Sequence, residues 1–240
     1  MKQLLTAGLL ATAVCSGLVA APASAGTIYD PALGSLPSAQ GWLTTGAGPY
    51  VQGVSGGVYS LDTSASNAVL AGSALLNPAA LNTAAGFTID FDLRVIAESH
   101  ARPERGGFSM IVTGADPTHA LELAFWNDRV FAYTSTFAHG AEALFDTSAF
   151  TQYSLVIADN HYAFSGNGAA LLSGSLVDYS ARGTPYNQAG FLFFGDDTTS
   201  AQAHVELGKV TVGPVPEPDI AGLLAAGLAL VGWRMRRAPR

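Results

Sequence analysis

The 240-residue chain reads as an all-β antiparallel sandwich, flanked by two terminal segments that do not belong to the fold. Three observations predict this. Period-two alternation recurs, and no stretch between the termini carries a helical period. In Phe87-Thr88-Ile89-Asp90-Phe91-Asp92-Leu93-Arg94-Val95 every odd position is apolar and every even one polar, the pattern of a half-buried antiparallel strand. Further short runs at 57–62, 107–113, 120–126, 129–135, 152–158, 161–165, 169–173, 190–195 and 203–212 are separated by turn residues, the spacing of a sandwich or barrel. With 49% hydrophobic and 12% charged residues, the chain is too apolar to be disordered and carries about half the ordinary charged share of ~25%.

The N-terminal segment reads as a secretory signal peptide over residues 1–25. Lys2 supplies the positive charge, Leu4 to Ala20 is apolar and small, and Ala23-Ser24-Ala25 precedes Gly26. Cleavage is therefore expected between Ala25 and Gly26; the alternative is a membrane anchor or a buried helix. The one cysteine, Cys15, would leave with the signal. Neither a disulfide scaffold nor a cysteine zinc site is available to the exported domain, 26–213. The stretch 31–57 is Gly/Ser/Pro-rich and irregular, yet too apolar for a linker.

Two hairpins can be registered from their turns. Asn127-Asp128 pairs Trp126 with Arg129, Ala124 with Phe131 and Glu122 with Tyr133 on one face. Leu123, Phe125, Val130 and Ala132 fall on the other face, toward the core. Asp159-Asn160 pairs Ile157 with Tyr162 and Val156 with Ala163, and Gly166-Asn167-Gly168 turns into 169–173. No internal repeat is present.

The C-terminal segment, 214–240, has three parts. Val215-Pro216-Glu217-Pro218 is a rigid, non-helical linker. Ile220 to Trp233 carries no charge, and Arg234, Arg236, Arg237 and Arg240 follow. A helix over the apolar part spans ~21 Å against the ~30 Å hydrocarbon core; snorkelling arginines and Trp233 help to close the gap. The arginines favour a cytoplasmic end, which leaves 26–213 outside.

This tail resembles the PEP-CTERM sorting signal of Gram-negative bacteria: Pro216-Glu217-Pro218, the apolar stretch and the arginine cluster stand in order. The resemblance implies a transient inner-membrane anchor, recognition and cleavage near Pro-Glu-Pro by an exosortase, and delivery to the cell surface or extracellular matrix. That route goes with exopolysaccharide and with biofilm or floc. The alternative is an ordinary tail anchor. The middle of the chain resembles the concanavalin A-like jelly roll of laminin G and legume-lectin modules. Gly86–Val95, Tyr153–Ser173, and Gly190 to Asp197 with the closing strand to Val212 carry that resemblance. More narrowly, Leu33-Gly34-Ser35-Leu36-Pro37-Ser38-Ala39-Gln40-Gly41-Trp42 and Phe193-Phe194-Gly195-Asp196-Asp197-Thr198 look like the bacterial "choice-of-anchor" surface modules. The fold so implied is an antiparallel jelly-roll sandwich, which hosts lectins, hydrolases and spacers alike.

Candidate sites follow from side-chain chemistry. Glu122, Trp126, Arg129, Phe131 and Tyr133 share a face that joins flat aromatic surfaces to polar groups, a glycan platform if it lies on the concave sheet. The alternative is that this face packs under a loop, with Arg129 covering Trp126. Asp196 and Asp197 sit at a strand end where jelly-roll lectins hold Ca²⁺. Two carboxylates supply only part of the six to eight oxygens calcium takes, and the alternative is a turn in which aspartate caps backbone amides. Asp90 and Asp92 point the same way, about 7 Å apart, within glycosidase separations. However, the Glu-x-Asp-x-x-Glu strand of laminarinase-like enzymes is absent, and the alternative is a solvated face with Arg94 as partner. Gly53-Val54-Ser55-Gly56-Gly57 matches Gly-x-Ser-x-Gly formally, but a strand follows it where a nucleophile elbow needs a helix. The five histidines show no metal spacing.

Residues 26–213 hold six basic residues and 16 acidic ones. That balance argues against nucleic acid and would repel acidic polymers unless calcium bridged them. The expectation is a non-enzymatic exported protein that associates with extracellular polysaccharide or surface proteins. A spacer or adhesin without a glycan ligand comes second, and a polysaccharide hydrolase or lyase third.

Overall fold

The computed structural model describes residues 25–76, 81–83 and 85–215. Residues 1–24, the sorting motif Pro216, Glu217 and Pro218, the apolar segment 220–233 and the arginine-rich end lie outside the described residues. In chain order the strands are β1 (Gly26–Tyr29), β2 (Leu43–Ala47), β3 (Val51–Ser55), β4 (Val58–Asp62), β5 (Leu70–Leu76), β6 (Phe87–His100), β7 (Ser109–Thr113), β8 (Ala120–Phe125), β9 (Arg129–Tyr133), β10 (His139–Leu144), β11 (Thr151–Ala158), β12 (His161–Gly166), β13 (Ala169–Ser175), β14 (Phe191–Asp196) and β15 (Ala201–Gly213). They form two antiparallel sheets. One runs β13-β12-β11-β6-β15-β4-β3, with β1 also paired to β15; the other is seven-stranded and runs β10-β9-β8-β7-β14-β5-β2.

The registers follow from the turns. Asp159 and Asn160 both adopt left-handed backbone, at φ 50° and 60°, the type I′ geometry that suits a two-residue hairpin. Ile157 therefore faces Tyr162 and Val156 faces Ala163. Asn167 and Gly168 repeat the device, at φ 50° and 77°. At Asn127-Asp128 the Trp126 amide donates to the Arg129 carbonyl at 2.9 Å, and Ala124 faces Phe131. The predicted faces of this hairpin are the observed ones.

Between the sheets lies the main core. Phe91, Phe125, Tyr153, Phe164 and Phe194 are buried in it, with ring centroids 5.2–6.3 Å apart in stacked and edge-to-face pairs. Such pairs add ~0.5–1.5 kcal/mol each beyond area burial.

Two expectations need correction. The stretch 31–57 is not irregular: it holds β2, β3 and the 3-10 turns Pro31–Leu33 and Pro37–Gln40. These turns cap one end of the core. Gln40 pins them by accepting from the Asp30 amide at 2.9 Å and donating to the Asp30 carbonyl at 2.8 Å. Trp42 is buried beneath and donates to the Ile28 carbonyl at 2.8 Å. Arg94 pairs with Glu206 at 2.7 Å, a residue directly opposite on β15, and not with Asp90 or Asp92. Gly53–Gly57 runs from β3 into the turn at Gly56 and Gly57, both at positive φ, and β4 follows, so there is no nucleophile elbow there, as the following strand leads one to expect.

Candidate functional site: a cleft on the outer face of the seven-stranded sheet

Alternation on the seven-stranded sheet sends a second set of aromatic side chains away from the main core. Phe131 and Tyr133 of β9 and Phe191 and Phe193 of β14 gather with Ile111, Tyr179 and Tyr186 into a separate buried cluster. Large aromatic rings on an outer face demand cover. The connection 176–190 supplies it, held by a bridge between Val177 and Ala120 and by the Tyr179 hydroxyl, which donates to the Tyr133 carbonyl at 2.7 Å.

This cover decides the state of the predicted platform. Glu122, Trp126, Arg129 and Tyr133 do share the outer face, but as parts of a packed layer. Glu122 and Tyr133 are buried. The Tyr133 hydroxyl accepts from the Gly106 amide at 3.1 Å. Trp126 is partly buried: His100 stacks on it at 3.9 Å and 8°, and the Arg129 guanidinium lies 5.1 Å from its ring centroid. Its indole nitrogen donates to the Arg105 carbonyl at 2.8 Å. Arg129 also pairs with Asp128 and Glu142, at 3.0 and 2.8 Å.

Beside this layer, toward β2, the cover stops and leaves a cleft of about 470 Å³. Its floor is apolar, with Ala74, Ile111, Phe191 and Phe193; Leu43, Thr44 and Thr45 of β2 form one wall, Thr184, Pro185 and Gln188 the other, and Asp196 and Asp197 close one end. The floor depends on Gly72, where an added Cβ would run into the Phe193 ring and the Phe194 carbonyl. A concave, mostly apolar site with a few convergent polar groups is what small ligands require.

The two aspartates turn to different partners. Asp196 is buried; it accepts from the Thr63 hydroxyl at 2.7 Å and from the Thr198 amide at 3.1 Å. Burial pushes its carboxyl up to about 8. Asp197 accepts from the Tyr186 hydroxyl at 3.1 Å, and the same hydroxyl lies 2.7 Å from Glu122 Oε2. Burial, then the mutual repulsion of the two acids, raises Glu122 well above the carboxylate range, and burial also raises Asp197. Glu122 Oε1 is buried without a partner. Carboxylates spent in separate hydrogen-bond sets do not assemble a calcium shell, and among the described residues no group of three or more acidic, histidine or cysteine side chains could hold a metal. Asp90 and Asp92 lie on the opposite sheet, half-buried along β6. Gly26, after the expected cleavage bond, opens β1 and faces Val212; Ala25 packs near Gly213.

Sequence reasoning missed Tyr186 and the β2–β5 wall. Val177, Tyr179 and Tyr186 in a turn-rich connection were the available signal, since apolar residues in a long loop must pack back onto a sheet.

No family model and no curated protein matches the chain. Solved structures do. A Bacillus subtilis protein of unknown function with a galectin-like fold superposes with a TM-score of 0.51 at 14% identity, covering 80% of this chain and 98% of that one. The carbohydrate esterase of the Shiga toxin-encoding bacteriophage phi24B gives 0.55 at 14% identity, covering 80% and 99%. The fold is thus a galectin-like β-sandwich; the alternation and turns predict the antiparallel sandwich, and the resemblance to concanavalin A-like modules implies its type.

Proposed function

We propose that the chain is an exported, exosortase-processed protein of the cell surface or extracellular matrix whose sandwich binds carbohydrate in the cleft between β2, β14 and residues 184–188. The observation that carries this reading is the cleft itself: an apolar floor flanked by hydroxyl, amide and carboxyl groups suits a sugar, which offers one apolar face and a ring of hydroxyls. The galectin-like fold and the carbohydrate esterase among its structural neighbours support a sugar-related role, and the order of the C-terminal segment supports the sorting route. The test is binding of the exported protein to extracellular polysaccharide from the producing cells. Thr45 is exposed on the cleft wall, so Thr45→Trp fills the cleft without touching the core and should abolish binding. Trp126→Ala, in the covered layer, should leave the affinity within about threefold of wild type. The reverse pattern would move the site to the Trp126 face.

Exposed apolar side chains favour a second reading, self-association without a glycan. Val51 on β3 is 70% exposed and Leu144 on β10 is 76% exposed, and both strands are sheet edges. Sedimentation showing a strict monomer across concentrations would remove it.

A further inference from the structure

Glu122, Tyr186 and Asp197 present a proton-counting problem. The Tyr186 hydroxyl has one proton and two carboxyl oxygens within reach, at 2.7 and 3.1 Å. A phenol donates to one acceptor only. If both acids were ionised, the second oxygen–oxygen contact would have no proton in it and two negative charges would sit together in a buried layer, which is costly. One further proton settles both: a protonated Glu122 donates to the Tyr186 oxygen, and Tyr186 donates to Asp197. Arg105 is the cation that acts on this pair; its guanidinium lies 5.6 Å from the Tyr133 ring and 5.0 Å from the Phe137 ring. With one shared proton and Arg105 the cluster is neutral. The other groups facing it are Tyr133 of β9 and Tyr179 of the covering connection, Ser109 of β7, and Asp196 of β14, which is itself protonated at neutral pH.

Asp197 is the member of this unit that lines the cleft, beside Asp196, and no lysine, arginine or histidine is among the described lining residues. We propose that Glu122, Tyr186 and Asp197 act as one proton-sharing unit that makes the cleft selective for uncharged saccharides over uronate or sulfated ones. The selectivity rests on the carbohydrate reading above; the shared proton does not. Asp197 accepts hydrogen bonds from ligand hydroxyls, whereas an anionic ligand meets this carboxylate on the cleft side, where Arg105, held against the Tyr133 and Phe137 rings, is not among the described lining residues. Raising the pH removes the shared proton, places a second negative charge behind the cleft and weakens binding.

The experiment uses the exported protein and extracellular polysaccharide from the producing cells, divided by anion exchange into neutral and acidic fractions. The neutral fraction should bind at least about tenfold more tightly than the acidic one, and Asp197→Asn should shrink that ratio to less than about threefold. Glu122→Gln keeps a donor toward Tyr186; combined with Asp196→Asn, which removes the other cleft acid that loses a proton near pH 8, it should abolish the loss of neutral binding at high pH that Asp196→Asn alone retains. Infrared spectra at neutral pH should show, beside the protonated Asp196 carboxyl, a second one that Glu122→Gln removes and Asp196→Asn does not. Equal binding of the two fractions would overturn the selectivity and leave the carbohydrate reading standing, whereas no binding of either would overturn both. Absence of that second protonated carboxyl, seen as a spectrum that Asp196→Asn clears completely, would overturn the shared proton itself.

Discussion

Asp196 shows how far one buried side chain sets the response of this fold to pH. Its carboxyl is lifted from 3.8 to about 8, so between these values the folded chain holds a proton that the unfolded chain has lost. An acid raised by folding stabilises below its unfolded value, and that contribution is lost as the pH rises through the folded one. Thermal stability should therefore fall between about pH 4 and 8 and then level off. Asp196→Asn should flatten this part of the profile, and a series of melting temperatures against pH would check it; an unchanged slope in the variant would contradict the assignment. Exposed acids such as Asp146 and Asp178, lowered by their serine partners, act the opposite way and lose their contribution as the pH falls through their folded values. Gly72 is the second residue on which the site depends. Gly72→Ala must displace the Phe193 ring, at a cost of ~1–3 kcal/mol, and should narrow the cleft, so unfolding and binding assays should both register it.

Among the elements, those with a half-buried face and a tight turn were legible from the chain. β6, β11 and β12 alternate cleanly, and the positive-φ turns after β11 and β12 are written as Asp159-Asn160 and Asn167-Gly168. Gly168→Ala, at φ 77°, should cost about 1 kcal/mol in denaturant unfolding, and no cost would mean that the turn does not fix the register. β2, β3, β5 and β10 were not legible, for physical reasons. β5 reads Leu-Ala-Gly-Ser-Ala-Leu-Leu and is buried over most of its length; with the core on one side and Phe193 on the other, it has no polar face to alternate. β2 is exposed throughout, and β10 mixes small and polar residues on an edge. The candidate site was half legible for the same reason. The Glu122–Tyr133 face was placed correctly, but the connection that covers it has no periodic signal, and the cleft wall comes from strands that alternation does not reveal.

Across the whole molecule, β15 fixes a polarity. Its first residue, Ala201, faces His100, and its last, Gly213, faces Thr88. At ~3.3 Å per residue the two ends lie roughly 40 Å apart. Asp196 shares Thr63 with Ala203, which places the acid end of the cleft at one pole. Gly26 faces Val212, and Val215 packs against Gly86, which places both ends of the sandwich at the other. A chain held by its C-terminal segment would thus present the acid end of the cleft away from the attachment point. Because β1 begins at Gly26, pairing with Val212 fixes the backbone next to the expected Ala25–Gly26 bond at the sheet, although both residues stay exposed, so cleavage should precede folding. Substitutions that block β1 pairing should leave the extent of processing unchanged in pulse-labelled cells, and loss of processing in them would contradict that order. The most direct measurement of the central claim is an amide NMR titration of the protein with fragments of polysaccharide from the producing cells. Binding in the cleft predicts saturable shifts centred on Thr45, Gln188 and Asp197, with little change at Trp126 and Arg129. Shifts confined to the Trp126 face, or none at saturating concentrations, would contradict it.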